Sequence, residues 1–443
     1  MDTALEIKGL WWLPTCPENK KAGILRYAPT EYSTLEIIGE LQDNDWLLFN
    51  QEDLKRIGTI WGLSAQAEPI SLFLCSPIDG TKNTSCPFPL VKYRTQVIFK
   101  GKHLQTVDDV GQYEVQAQYD ELSVWYHPNN VQIIPTHRKI LFIERNLKYD
   151  IVTRVNDKMQ FVLTPKVTIK PSLTSTEIIQ DTELHIQFDG QTSLTEIVKT
   201  INSFNQFMSL ATLSSVKCKK LYLIEGKETQ IEVFYHYDRE PYNPNMEFFN
   251  FLFTFDTIKE DYDKILRNWY SDDKLIPIRT HLIESFNRKG SFTSADFLVV
   301  IQAIDGFYTR FREDIRKLEK ILKNLIVEFS DVSCIEFEDT DYEKVINSRD
   351  YYSHLLPPGK KTNVLSGREL HLLDFKLRKI LLCCILKTIG FDNQAIDKIC
   401  ALSNNYALSM KTGKKKTTYT QEIQEIKCDV INKTVENKAI IEN

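Results

Sequence analysis

The apolar residues of this chain change period partway along it. That change restricts the fold to a β-rich first part followed by a helical second part. Up to about residue 190 the apolar runs are short and separated by Pro, Asn, Asp and Gly. Leu10-Trp11-Trp12-Leu13-Pro14 opens the series, and residues 22–27 and 34–39 follow. Residues 70–74, 91–99, 112–119, 123–126 and 183–188 continue it, each reading as a strand. Segments this frequent predict a sandwich-like domain. From Ser193 the spacing lengthens: Leu194, Ile197, Val198, Ile201, Phe204 and Met208 recur at three- and four-residue steps, as on one face of a helix. Residues 220–224 and 230–237 then read as a hairpin turning at Glu225-Gly226-Lys227.

Residues 240–245 carry two prolines and no apolar period, which sets a domain boundary there. Beyond it the pattern is helical. Ser294 is the expected N-cap of a helix presenting Phe297, Val300, Ile301, Ile304, Phe307 and Phe311, and onward to Leu325. Unbroken, that helix is long for a globular domain, so a break is expected. Its other face mixes Arg and Lys with Glu and Asp and reads as solvated. Residues 341–356 form the next helix, stopped by Pro357-Pro358-Gly359. Ser366-Gly367-Arg368-Glu369 matches a capping box and launches an apolar helix to Leu386, with Gly390 as its C-terminal cap. A short helix over 392–402 and a Lys-rich polar tail end the chain. The fold class expected is α+β, divided into 1–245, 246–410 and a tail over 411–443.

Composition excludes several functions. The net charge of −5 rules out a global polycation, so any nucleic-acid site is a local patch. The nine cysteines form no C-x-x-C, and Cys383-Cys384 sits in an apolar helical run, as buried thiols do in a reducing cytosol. No run reaches transmembrane length, so a cytoplasmic protein without membrane contact is expected. No P-loop, H-E-x-x-H or G-x-S-x-G is present. His127 and His137 lack a third ligand at useful spacing, so neither metal nor cofactor is expected. Trp11 and Trp12 could stack on a sugar or base; the stronger expectation puts one in the sheet core and the other over an edge.

The chemistry concentrates in Arg349-Asp350-Tyr351-Tyr352-Ser353-His354. Arginine clamps phosphate with its planar fork, and an imidazole moves protons near neutral pH. On an ideal helix Asp350 and His354 share a face, whereas Arg349 and His354 diverge by about 140°. Tyr351 and Tyr352 could stack on unpaired bases or pack at the helix interface. Asp305 could orient Arg349 or be a solvated carboxylate. Lys360 and Lys361 could contact phosphates or be plain loop lysines.

The helical half resembles the HEPN superfamily, whose nuclease members carry Arg, a polar residue, three to five others and then His. FLVVIQAIDGFYTR (297–310), RDYYSH (349–354) and LDFKLRKILLCCILKTIGF (373–391) resemble the core helices of ApeA-like HEPN domains. GLWWLP (9–14), AGILRYAPTEYSTLEIIGEL (22–41) and NSFNQFMSLATLSSV (202–216) resemble the ApeA N-terminal domain. The resemblance covers the chain to about residue 410 and implies an all-α HEPN bundle after a sensor or regulatory β-rich domain. It implies a metal-independent antiphage ribonuclease that halts the infected cell, with tRNA the target class and a phage-derived activator a candidate partner. Arg349 would hold the scissile phosphate, His354 would act as general acid or base, and Asp350 would fix their orientation. Because one copy leaves Arg349 and His354 diverging, a homodimer with a composite site is expected. The competing readings are a non-catalytic HEPN binding module and, last, a carbohydrate-binding protein built on the tryptophan pair.

Overall fold

Alternation of apolar side chains builds a ring of six strands: β1 (Leu5–Trp12), β2 (Lys21–Tyr27), β3 (Ser33–Ile38), β4 (Ile57–Ser64), β5 (Pro69–Pro77) and β6 (Leu90–Thr95). They run β5-β4-β1-β2-β3-β6, all antiparallel, and β6 returns to β5 through Ser76↔Arg94 and Pro77↔Tyr93. The sheet therefore closes as a barrel, which removes its edges. Leu25, Leu35, Ile37, Ile60, Ile70 and Leu72 fill the interior around Trp11. Gly62 makes room for that indole, since a Cβ there would stand 2.3 Å from the ring. The computed structural model describes residues 4–28, 31–41, 57–78, 90–108, 114–126, 131–135, 141–145, 150–226, 229–235, 250–287, 292–313 and 317–402. His127, His137, Lys227 of the expected hairpin turn, the expected boundary at 240–245 and the tail over 411–443 lie outside the described residues.

Both tryptophans are buried, Trp11 inside the barrel and Trp12 under His103 and Lys20. Neither ring face is left for a sugar. The sandwich-like expectation takes the form of this barrel continued by an open sheet. The further strands are β7 (Val97–Lys100), β8 (Glu114–Gln118), β11 (Ile151–Asn156), β12 (Met159–Pro171), β13 (Thr176–Phe188), β14 (Lys220–Glu225) and β15 (Thr229–Tyr235). From β5 they run β7-β15-β14-β8-β13-β12-β11. A separate hairpin pairs β9 (Val131–Pro135) with β10 (Leu141–Arg145). Helices α1 (Asp120–Tyr126) and α2 (Leu194–Thr212) pack with the open sheet. Residues 123–126, expected as a strand, belong to α1: Leu122, Trp125 and Tyr126 are spaced to bury one helical face, and tertiary packing overrides their β propensity. Ser193 caps α2 as part of a capping box with Glu196.

The helical part comprises α3 (Phe255–Ile258), α4 (Tyr262–Ser271), α5 (Ile276–Asn287), α6 (Ser294–Phe311), α7 (Leu318–Glu328), α8 (Asp339–Ser353), α9 (Gly367–Ile389) and α10 (Asn393–Leu402). The fully buried α9 residues, including Leu377, Leu381, Cys383 and Cys384, make it the central helix. The expected break in the 297–325 helix falls between α6 and α7. The α6 cap is Thr293, one residue before the expected Ser294, because Thr293 donates N–H and Oγ1 bonds to Asp296 at 2.7 and 2.8 Å. Ser366 is the N-cap of α9, but its side chain makes no capping bond. Gly390 ends α9 at φ +117°, a conformation that favours glycine. A single core runs from the open sheet into the helices, linking Phe207 to Trp269 at 5.5 Å and Phe253 to Phe391 at 5.6 Å. The barrel interior is a separate cluster.

Candidate functional site

Helix α8 has a weakly apolar sequence and is held by specific anchors. Val345 and Ser348 are its fully buried side chains. At its start, buried Asp341 accepts bonds from Lys376 of α9 at 2.6 Å and from Lys344 at 3.4 Å. Burial works against the Asp341 charge, but the Lys376 hydrogen bond, the Glu338 N–H and the charges of Lys376 and Lys344 together outweigh it and hold the carboxyl below its usual range. The helix ends at Ser353, three residues short of the expected Leu356. His354 is its C-cap, and Leu355 turns the chain at φ +48°.

After Pro357-Pro358-Gly359 the loop comes back alongside α8. Asn347 donates to the Thr362 carbonyl at 2.9 Å, the Leu365 N–H donates to Ser348 Oγ at 3.0 Å, and Tyr352 Oη donates to the Leu365 carbonyl at 2.9 Å. This return brings Lys361 to Asp350. Asp350 is thus bracketed by two cations, Arg349 Nη1 on Oδ1 and Lys361 Nζ on Oδ2, both at 2.9 Å. Partial burial opposes its charge, but the bonds from Lys361 and Arg349 prevail and keep its pKa below the usual carboxylate value. The cluster keeps one net positive charge at the surface.

The structure brings Arg349 and Asp350 together and leaves His354 exposed at the helix end. His354 N–H donates to the Asp350 carbonyl at 3.2 Å, and no described side chain bonds its ring. Asp305 is exposed on α6 and makes no described bond to Arg349, whose partner is the neighbouring Asp350. Tyr351 and Tyr352 meet edge to face at 5.1 Å, and Tyr352 packs against the core. Lys360 is exposed. The bond from Lys361 to Asp350 was not assigned from sequence; its only signal was the Pro-Pro-Gly turn that reverses the chain. Among the described residues no group of three His, Cys, Asp or Glu side chains is arranged to hold a metal, and no helix is long and apolar enough to cross a membrane.

A β-rich region containing a closed barrel is followed by a helical region whose α8 ends in this polar cluster. Residues 6–269 match the family model described as ApeA N-terminal domain 1, and residues 298–395 match Apea-like HEPN. The chain belongs to the ApeA family. HEPN domains are generally ribonucleases, and this combination implies a defence-associated, nuclease-like role. No curated protein and no solved structure matches the chain.

Proposed function

We propose that this protein is a metal-independent endoribonuclease of antiphage defence, acting on RNA of the tRNA class. The observation that carries the reading is the net-cationic cluster of exposed Arg349 with half-buried Asp350 and Lys361, at the helix end that is capped by the exposed His354. The RNA 2′-hydroxyl gives up its proton as it bonds to the adjacent phosphorus, the P–O5′ bond breaks, and the leaving 5′-oxygen takes a proton. His354 moves one of those protons. Arg349 holds the scissile phosphate and stabilises the charge that develops on it. Asp350 and Lys361 fix the guanidinium. Asp350 occupies one edge of Arg349, which leaves donors for phosphate. Residue separation along α8 supports a homodimer in which Arg349 of one subunit works with His354 of the other. The N-terminal region would restrain the nuclease until a phage-derived signal arrives.

The test incubates purified protein with total tRNA in excess EDTA, beside His354→Ala and Arg349→Ala. Wild type should give fragments with 2′,3′-cyclic phosphate ends, and His354→Ala should lose about 10²- to 10⁴-fold in rate. A co-purified heterodimer of the two variants should recover activity, because one composite site then keeps both residues. Equal cleavage by all three proteins would remove these residues from the mechanism. Because an unrestrained nuclease harms its host, the assay is repeated with extract of phage-infected cells. Silence in both conditions would favour a binding module.

A further inference from the structure

A cavity of about 620 Å³ lies between the ends of β11–β13, helix α2, the end of α4 and the start of α5, away from α8. Arg279 of α5 lines it and is only 2% exposed. Its Nε donates to Gln206 Oε1 at 2.9 Å, Nη1 to the Trp269 carbonyl at 2.7 Å, and Nη2 to Ser203 Oγ at 2.7 Å. The guanidinium also stacks on Trp269, 4.1 Å from the ring centroid. All these acceptors are neutral, and N–H donors are left over. No carboxylate among the described residues forms an ion pair with Arg279. The negative potential the protein supplies is the C-terminal end of α4 and the more distant Asp273. A buried charge is costly unless paired, and an arginine fork suits an oxyanion such as a phosphate.

The carboxylates lining the cavity are already engaged. Asp189 holds Arg154, Glu196 completes the α2 capping box, Asp272 accepts from the Lys274 N–H, and Asp273 pairs with Lys199. They therefore offer Arg279 no partner. Lys158 at the rim is exposed and has no ion-pair partner among the described residues. The lining thus keeps Arg279 and Lys158 without ion-pair partners among the described residues, while Glu196 and Asp272 bond only neutral donors and keep their charge. Its volume falls within the roughly 300–1,000 Å³ typical of small-molecule sites.

We infer that this cavity binds a phosphorylated small molecule, with its phosphate on Arg279 and Lys158. The site joins the region matched by the ApeA N-terminal model to α5, which lies between the two matched regions. The other end of α5 is tied to the bundle, where Ser285 gives its carbonyl to Arg378 of α9 at 2.9 Å. Ligand binding is thereby connected to the helix that also anchors α8.

Isothermal titration of the full chain with inorganic phosphate, ribose 5-phosphate and AMP tests this, with adenosine as the uncharged control. Saturable binding of at least one phosphate compound is expected, weakened about tenfold or more in Arg279→Lys, which keeps charge but loses the fork. Lys158→Glu, at an exposed position, should fold normally and also weaken binding, and it decides the matter if the Arg279 variant does not fold. Binding of inorganic phosphate as tight as that of the esters would identify the free anion as sufficient. No saturable heat with any phosphate compound, equal affinity in Lys158→Glu and wild type, or adenosine binding as tightly as AMP would each overturn the assignment.

Discussion

The barrel interior and the core shared by the open sheet and the helices are both apolar, but they bury different polar groups. The buried polar residues of the barrel strands are Ser33, Ser64, Ser71 and Thr95. These hydroxyls find partners close by, as Thr95 Oγ1 does on the Phe73 carbonyl at 2.9 Å. The region around the shared core buries Glu121, Glu183, Arg279, Asp296, Asp341 and Asp374. These charges pair both within and beyond their own elements: Glu183 with His185 of its own strand and Lys166 of β12, and Asp374 with Arg378 of its own helix. Arg279 ties α5 to α2 and α4, Lys376 of α9 reaches Asp341 of α8, and Arg378 links Asp374 to the end of α5. Strand register specifies the barrel, whereas buried charges fix how the helices sit.

The largest effect should come from breaking one helical link. Arg378→Met strands the fully buried Asp374 and should cost about 3–5 kcal/mol in denaturant unfolding. Adding Asp374→Leu should recover most of the loss; no recovery would mean that the charges do more than satisfy each other. The Asp374 carboxyl is pushed up to about 6 by burial, which Arg378 only partly offsets. Folded protein then holds the proton more tightly than unfolded, so the Asp374 contribution to stability falls as pH rises from about 4 to 6.

Gly62→Ala tests the other region and should cost about 1–3 kcal/mol, because the rigid Trp11 ring has nowhere to move. With separate cores, near-ultraviolet circular dichroism should show the barrel melting first while helical far-ultraviolet signal persists. Coincident loss of both signals would break the comparison.

The smallest effect is a pH dependence on the open sheet, where His185 lies between Glu114 at 2.5 Å and Glu183 at 3.7 Å. Desolvation lowers the imidazole pKa, but the two glutamates outweigh it and raise it. The hydrogen bond from His185 is the main cause that brings Glu183 to about 2. Stability from the histidine is complete below its unfolded pKa and lost as pH rises through the higher folded value. Stability from Glu183 is present above about 4.5 and lost as pH falls towards 2. The joint contribution therefore peaks between about 4.5 and 6.5. His185→Gln should flatten melting temperature against pH across this range, and an unchanged profile would mean the cluster is too wet to matter.

Much of this architecture was legible in the residues. Period alone separated strands from helices, because a side chain's spacing records which face of its own element is buried. The helical period beginning at Ser193, a break in the long helix, the apolar α9 and the Gly390 stop followed from local spacing and chemistry. So did the candidate stretch from Arg349 to His354, whose residue types carry their chemistry wherever they lie. Tertiary structure decided what local spacing does not encode. Barrel closure rests on β6 returning to β5, and α1 is helical because its aromatics meet the core on one side. Arg279 meets partners more than seventy residues earlier in the chain, and Lys361 reaches Asp350 only because the loop turns back. A period tells a segment which of its faces to bury, but only the packed chain determines which faces meet.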